Sequence, residues 1–222
     1  METSGYYKEK KYKINRFRKE AILDLLGSNN DLVLDIGCND GSLGEVIKQQ
    51  KNSKVFGVDI SETSVSEARE KLDGVFCFDI QKDYQNWPED LRQIKFDKII
   101  VSEVLEHLFY PEKLLENLKN QLKEGGEIII TVPNLLFWKN RLKIFFGNFN
   151  YTEQGLMDRG HIHFFSWTGL ISIIRQAGFS IVDQRHHIPT KGTKILGMIF
   201  PGLFAYQFIV KVSPVRNSCE EH

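Results

Sequence analysis

The sequence predicts an α/β protein in which parallel βαβ units place helices on both faces of one sheet. Three observations carry that reading. Short β-rich runs alternate with helical patterns from residue 13 to residue 132. A small-residue cluster, "DIGCNDGSLG", separates the first strand from the helix that follows it. Acidic residues close three successive strands, at Asp35, Asp59 and Asp79.

The elements follow in order. A helix over 13–26 puts Ile14, Phe17, Ala21 and Leu25 on one face and its charges on the other. The basic run of Lys8, Lys10, Lys11, Lys13, Arg16, Arg18 and Lys19 reads as a solvated helix face rather than a binding site. Strands are expected at 32–36, 54–59, 75–78, 96–101 and 127–132, with helices at 42–51, 62–72, 88–94 and 112–123. After "TVPN", residues 135–158 are rich in aromatic and basic side chains and show no clean periodicity. A helix over 168–177 stops at Gly178, and 179–184 and 204–212 read as two more strands. The uncharged stretch "ILGMIFPGLFAYQFIV" is too short for a membrane span and is broken by Gly197, Pro201 and Gly202. One domain over 1–222 is expected, with an inserted lid at about 134–165.

A chain of 222 residues can bury one substantial core. Lysine plus arginine equals aspartate plus glutamate, 29 of each, so no global field draws in nucleic acid or an anionic membrane. No stable nucleic-acid partner is therefore expected. Cys38, Cys77 and Cys219 form no CxxC pair and are odd in number, which fits a reducing, cytoplasmic setting. The N-terminus lacks the apolar core of a signal peptide.

The turn after the first strand can be sorted among ligand classes. A phosphate-cradling loop needs Gly-Lys-Ser/Thr at the helix start, where this chain has Asp40-Gly41-Ser42. A dinucleotide turn reads G-x-G-x-x-G, where this chain has Asn39 in the middle. Asp35 and Asp40 set negative charge where a pyrophosphate would lie, and like charges at that range repel. Such a turn suits a ligand carrying an ammonium and a sulfonium.

The segment resembles the glycine-rich first motif of the class I S-adenosylmethionine-dependent methyltransferases, with Asn39 where a glycine is usual. Asparagine tolerates left-handed backbone better than most residues, so that departure is mild. "VFGVDIS", "CFDIQ", "FDKIIVSEVLEHL" and "LLENLKNQLKEGGEIIITVPN" resemble the family's later segments in turn, across roughly residues 20–185. The resemblance implies a Rossmann-like three-layer sandwich with a mostly parallel seven-stranded sheet, the last strand antiparallel. It implies S-adenosyl-L-methionine as cofactor. Asp35, Gly37, Cys38, Asn39 and Gly41 would form the turn around it. Asp59 would accept from the ribose hydroxyls with Ile60 against the adenine, and Asp79 would accept from the adenine amino group with Ile80 over the ring. Ser102, Glu103 and His107 would line the methionine end.

Methyl transfer asks the protein to align an acceptor, exclude water and, for a hydroxyl acceptor, remove a proton. Two segments are candidates. In "SEVLEHL", Glu103, Glu106 and His107 stand at i, i+3 and i+4, which a helical turn brings to one side. They form a divalent-metal half-site, or else Glu103 and His107 line the cofactor or cap the helix while Glu106 is simply solvated; the second reading is the one adopted, with no metal expected. The spacing resembles that of metal-dependent RNA ribose methyltransferases and of ubiquinone-pathway O-methyltransferases. In "DRGHIHFFSW", His161 and His163 alternate with Ile162 and Phe164, so an extended chain points both imidazoles one way. His161 is the candidate base or ligand and His163 its support; backbone-bonded histidines under the lid are the alternative.

Between these segments, Phe137, Trp138, Phe145, Phe146, Phe149 and Tyr151 offer stacking surface and Lys139, Arg141 and Lys143 offer anion contacts. The run resembles acceptor-side insertions of methyltransferases in polysaccharide and lipid-linked glycan synthesis. The resemblance implies a small-molecule acceptor, sugar or isoprenoid-linked, and the mixture of aromatic and basic side chains suits a sugar carrying phosphate or weak contact with a membrane surface. The opposing reading packs these aromatics onto the domain's own core. The expected activity is O-methylation. RNA ribose 2′-O-methylation and a non-catalytic cofactor-binding protein are the alternatives, with a nicotinamide dehydrogenase behind them.

Overall fold

The computed structural model describes residues 15–27, 29–189 and 191–215. Helix α1 (Arg16–Leu26) leads into β1 (Leu32–Ile36), α2 (Ser42–Lys51), β2 (Lys54–Asp59), α3 (Glu62–Ala68) and β3 (Gly74–Cys77). Then come α4 (Glu89–Arg92), β4 (Phe96–Ser102), α5 (Pro111–Lys119), β5 (Leu122–Pro133) and α6 (Trp138–Phe145). The chain closes with α7 (Trp167–Gln176), β6 (Phe179–Gln184), α8 (Lys194–Ile199), α9 (Pro201–Phe204) and β7 (Gln207–Pro214).

The seven strands form one sheet in the order β3-β2-β1-β4-β5-β7-β6. β1 to β5 pair in parallel, and β7 runs antiparallel to both β5 and β6, as the resemblance implied. Strand order reverses between β1 and β4, whose carboxyl ends lie side by side with Ile36 opposite Val101. That switch point is where open α/β sheets open a crevice.

Successive strand side chains alternate between the two faces of the sheet. Leu34, Ile36, Ile99, Val101, Ile128, Ile130, Phe208 and Val210 join one core with Leu114, Leu115 and Leu118 of α5 and Leu170 and Ile174 of α7. Val33, Ile100, Ile129 and Ile209 join the opposite core with Ile22, Leu25 and Leu26 of α1 and Ile47 of α2. Each fully buried aliphatic side chain contributes about 1.5–3 kcal/mol relative to exposure. Both faces are thus covered, which explains why the strands read as near-continuous apolar runs.

Several expectations need correction. The helix expected over 62–72 ends at Ala68, and the one expected over 88–94 spans Glu89–Arg92. The helix expected over 112–123 stops at Lys119, and Leu122 already pairs with Phe96, so β5 is longer than the expected 127–132. The strand expected over 204–212 begins at Gln207, because Pro201 starts a short helix at Pro201–Phe204 instead. The buried side of α1 is Ala21, Ile22, Leu23, Leu25 and Leu26, with Phe17 38% exposed and Ile14 outside the described residues. Arg18, expected on a solvated face with the other basic residues, turns inward to 13% side-chain exposure. Lys8, Lys10, Lys11, Lys13 and Cys219 lie outside the described residues.

Candidate functional site

The loop after β1 is shaped by left-handed backbone. Gly37 has φ 72°, Asn39 φ 48° and Gly41 φ 76°. A side chain on Gly37 would also meet Val104 Cγ2 at 2.6 Å, so that position is closed to any Cβ. Asn39 accepts the strained geometry and is anchored twice: its amide donates to Asp59 Oδ2 at 2.9 Å, and its side-chain oxygen accepts from Ser64 Oγ at 3.1 Å. The result is a bend lined by backbone, with Cys38 turned away into the core.

Asp35 stands at the end of β1, 1% exposed, with Oδ2 buried and without a hydrogen-bond partner. Burial pushes its carboxyl up to about 7; the nearby Asp59 adds to the rise and Arg18 opposes it. Asp59 receives the amides of Asn39 and Ser61, both at 2.9 Å, yet burial still raises it above its ordinary value. Asp40 does not share this environment. It binds Ser42 and forms an ion pair with Lys71 at 3.1 Å, so its charge is matched on the outside of the turn. The carboxyls left facing the bend are therefore Asp35 and Asp59, both biased by burial toward the neutral form, rather than Asp35 and Asp40.

Farther along the same sheet edge, Asp79 lies two residues beyond β3 and accepts the amide of Gln81 at 2.9 Å. Ile60 and Ile80 are half-buried after β2 and β3. On the other side of the switch point, Ser102 Oγ lies 3.1 Å from Thr131 Oγ1, which also donates to Glu103 Oε1 at 3.1 Å. Glu103 Oε2 meets Arg18 at 3.2 Å, across the sheet edge from α1. Sequence reasoning missed Arg18, because spacing on α1 grouped it with solvated lysines. Tyr206 was also missed. Burial, and then Glu103, raise its phenol, and its ring packs on Phe137 and His187.

The post-β4 segment does not form the single helical turn expected of it. Glu103 has φ 57° and precedes a 3-10 turn, Leu105–His107, so its side chain joins Arg18 and Thr131. Glu106 and His107 are instead met by His161, with one ligand-type atom of each within 4.8 Å of the others. The two imidazole rings are 5.0 Å apart, edge to face. Glu106, expected to be solvated, is instead fully buried, and both its carboxyl oxygens lack a hydrogen-bond partner. Burial first, and Glu103 second, hold its carboxyl well above the usual range.

Backbone bonds bring these segments together. The amides of Ile162 and His163 both donate to Glu106 O, at 2.8 and 3.0 Å, and His107 Nδ1 lies 2.9 Å from Gly160 O. Asp158, 2% exposed, closes the intervening turn by accepting the amide of Gly160 at 2.8 Å. His163 does not turn toward the cluster; its Nε2 lies 3.2 Å from Phe109 O.

The aromatic and basic run divides. Phe137 is buried, whereas Phe145, Phe146, Phe149 and Tyr151 are exposed. Lys139 Nζ sits 5.5 Å over the Trp138 ring, and Arg141 donates to Leu136 O and Gly202 O. The reading that packed all these aromatics into the core holds for Phe137 and in part for the half-buried Trp138, which packs on it, and not for the other four.

A family model described as a methyltransferase domain matches residues 7–184. A ubiquinone biosynthesis O-methyltransferase from Azoarcus sp. (strain BH72) is 30% identical over 130 residues, 57% of this chain and 54% of that protein. The chain thus spans about half the length of the curated relatives it matches. Among solved structures, an S-adenosylmethionine-dependent methyltransferase from Archaeoglobus fulgidus aligns with TM-score 0.62 at 20% identity, covering 89% of this chain and 96% of that one. Magnesium protoporphyrin IX methyltransferase from Synechocystis PCC 6803, solved with bound S-adenosylhomocysteine, aligns with TM-score 0.59 at 19% identity, covering 94% and 92%. At that identity the structural likeness is one of fold.

Proposed function

The chain belongs to the S-adenosylmethionine-dependent methyltransferases, and on that premise we propose that it methylates an oxygen of a small-molecule acceptor, sugar or lipid-linked, through the Glu106, His107 and His161 cluster. The observation that carries this reading is Glu106: a buried carboxyl with no hydrogen-bond partner, facing two imidazoles beyond the sheet's switch point. Buried polar groups are rarely left unpaired without a functional reason.

The donor fits the residues at the strand ends. The orphaned Asp35 oxygen suits a cationic group, the Gly37–Gly41 bend admits ligand close to backbone, and Asp59 keeps lone pairs for ribose hydroxyls. Ile60, Asp79 and Ile80 are the candidates for the adenine end, and Ser102, Glu103 and Arg18 for the methionine end. When bound, the donor supplies an electrophilic methyl group and its own leaving group.

The protein's task is then proton removal and alignment. His161 is proposed to take the acceptor's hydroxyl proton at a ring nitrogen. His107 is oriented by its Nδ1 contact with Gly160 O, and His163 fixes the segment through Phe109 O rather than touching the acceptor. The run over 134–165 is proposed as the acceptor-side lid that excludes water.

A second reading is favoured by the same cluster. Two imidazoles and an unpartnered carboxyl suit a divalent cation, held by Glu106, His107 and His161, which would polarise the acceptor oxygen. The test combines three measurements. Calorimetry with the donor and with S-adenosylhomocysteine is expected to give saturable heat. With labelled donor and a panel of phenolic and polyprenyl-linked sugar acceptors, His161→Ala is expected to lose about 100-fold or more in turnover while keeping donor affinity. Full turnover in that variant removes His161 from the mechanism. Manganese or magnesium is expected to raise the melting temperature of the unmodified chain and not of Glu106→Gln; no shift in either leaves His161 as base without a metal.

A further inference from the structure

Two stretches that flank the acceptor side carry apolar side chains the fold does not use. From α6 and the residues after it, Leu142, Phe145, Phe146, Phe149 and Tyr151 are exposed, Phe145 to 81% and Phe146 to 77%. From α8, Ile195, Leu196, Met198 and Ile199 are exposed, Ile195 to 76%, and Phe200 follows them. Only Gly197 of that short helix is buried, against Ile188, so α8 turns almost its whole apolar complement outward.

The two stretches adjoin through α9, which follows α8 directly in the chain. Arg141 of α6 donates to Gly202 O, and a shallow apolar groove lined by Trp138, Arg141, Leu142 and Phe145 is completed by Leu203 of α9, next to α8. Asn134 fastens the same junction by donating to Gly202 O and Ala205 O. Ring and aliphatic groups this exposed and this contiguous mark an interaction face.

Charge decides the partner. Residues 134–152 contain Lys139, Arg141 and Lys143 and no acidic residue, and residues 185–215 contain Arg185, Lys191, Lys194 and Lys211 and none. Arg185 and Lys211 are matched by Asp24, Asp183 and Glu127. The cations of α6 and Lys194 have no acidic residue in their own stretches. A second copy docked through this face would set these cations against themselves, since a twofold interface repeats one patch on both sides. An anionic lipid surface supplies the missing negative charge, and its headgroup layer accepts mixed aromatic and basic side chains.

We propose that this α6–α8 face lies on an anionic bilayer surface, with Phe145, Phe146, Ile199 and Phe200 entering the headgroup boundary and Lys139, Lys143 and Lys194 against the lipid charge. The attachment is peripheral: among the described residues no helix is long and apolar enough to cross a membrane. It goes beyond the methyl-transfer reading and does not depend on it.

Sedimentation with vesicles tests it. The full chain is expected to pellet with phosphatidylcholine–phosphatidylglycerol vesicles, less with phosphatidylcholine alone, and less as salt is raised. Phe145→Ser with Phe146→Ser, and separately Ile199→Ser with Phe200→Ser, are each expected to lower partitioning about tenfold or more. Lys139→Glu with Lys143→Glu is expected to abolish the preference for anionic vesicles. Unchanged melting temperature and donor affinity show that the variants are folded. Absence of pelleting, or pelleting indifferent to all three variants, overturns the proposal. A dimer in analytical ultracentrifugation that these substitutions dissociate overturns it in favour of self-association. Neither result bears on donor calorimetry, so the two readings fail separately.

Discussion

Asp35 is the residue where burial and function oppose each other most directly. Its neutral form suits the fold, because its carboxyl is raised to about 7 by burial and by Asp59. The stability contributed by that preference is complete below the ordinary carboxylate range and is lost as pH rises through about 7. Asp35→Asn is therefore expected to raise stability above pH 7, by about 2–4 kcal/mol if the whole ionisation cost is removed. The same variant is expected to weaken donor binding, because it removes the charge proposed to face the donor's cationic group. Thermal melts and calorimetry on either side of pH 7 check both; a melting temperature that stays level with the unmodified chain at high pH overturns the first. In the unmodified chain, donor affinity is expected to increase as pH climbs through about 7, where Asp35 ionises. Legibility at this scale was uneven. The acids and glycines at strand ends are visible in sequence because residue type and position relative to a strand are local features. Arg18 was hidden among lysines, since only the docking of α1 on the sheet tells an inward arginine from a solvated one.

Elements were legible where caps and breakers coincide with periodicity. β1, α2, β2 and β6 have the expected limits, and each is bounded by a turn residue or by a change of pattern. α7 shows the mechanism. Ser166 accepts the amide of Gly169 at 3.1 Å at its start, and Gly178 with φ 77° follows its end. Ser166→Ala is expected to cost about 1 kcal/mol, measured by denaturant unfolding, whereas Ser172→Ala in the same helix interior is expected to change little. The 134–166 and 185–206 segments were hard to read because long-range bonds shape them. Asn134 donates to Gly202 O and Ala205 O, and Ile162 donates to Glu106 O. No local pattern announces partners that distant in sequence.

Across the molecule, the sheet order sets what can meet. β1 and β4 lie together at the switch point, so that Arg18 faces both Asp35 and Glu103 although 68 positions separate the two acids. The antiparallel β7 closes the same end, since the β6–β7 connection returns beside Asn134 and Phe137. Phe208 on β7 is fully buried against Trp167 and His186, so it ties the last strand to α7. Phe208→Ala is expected to destabilise the whole chain by about 3–5 kcal/mol through the cavity it leaves. A loss below about 1 kcal/mol in chemical denaturation would mean that β7 and α7 do not unfold with the rest of the sheet.

The fold class, most strand limits, the glycine bend and the acids at strand tips were decided by the sequence itself, because local periodicity and backbone sterics act over a few residues. Tertiary structure decided the company each side chain keeps. It matched Asp40 with Lys71, drew Arg18 onto Glu103, turned His163 to a carbonyl and left Glu106 facing His107 and His161. Apart from the adjacent Glu106 and His107, those pairings join segments tens of residues apart, and only the packing of helices on one strand order determines which of many possible partners arrives within reach.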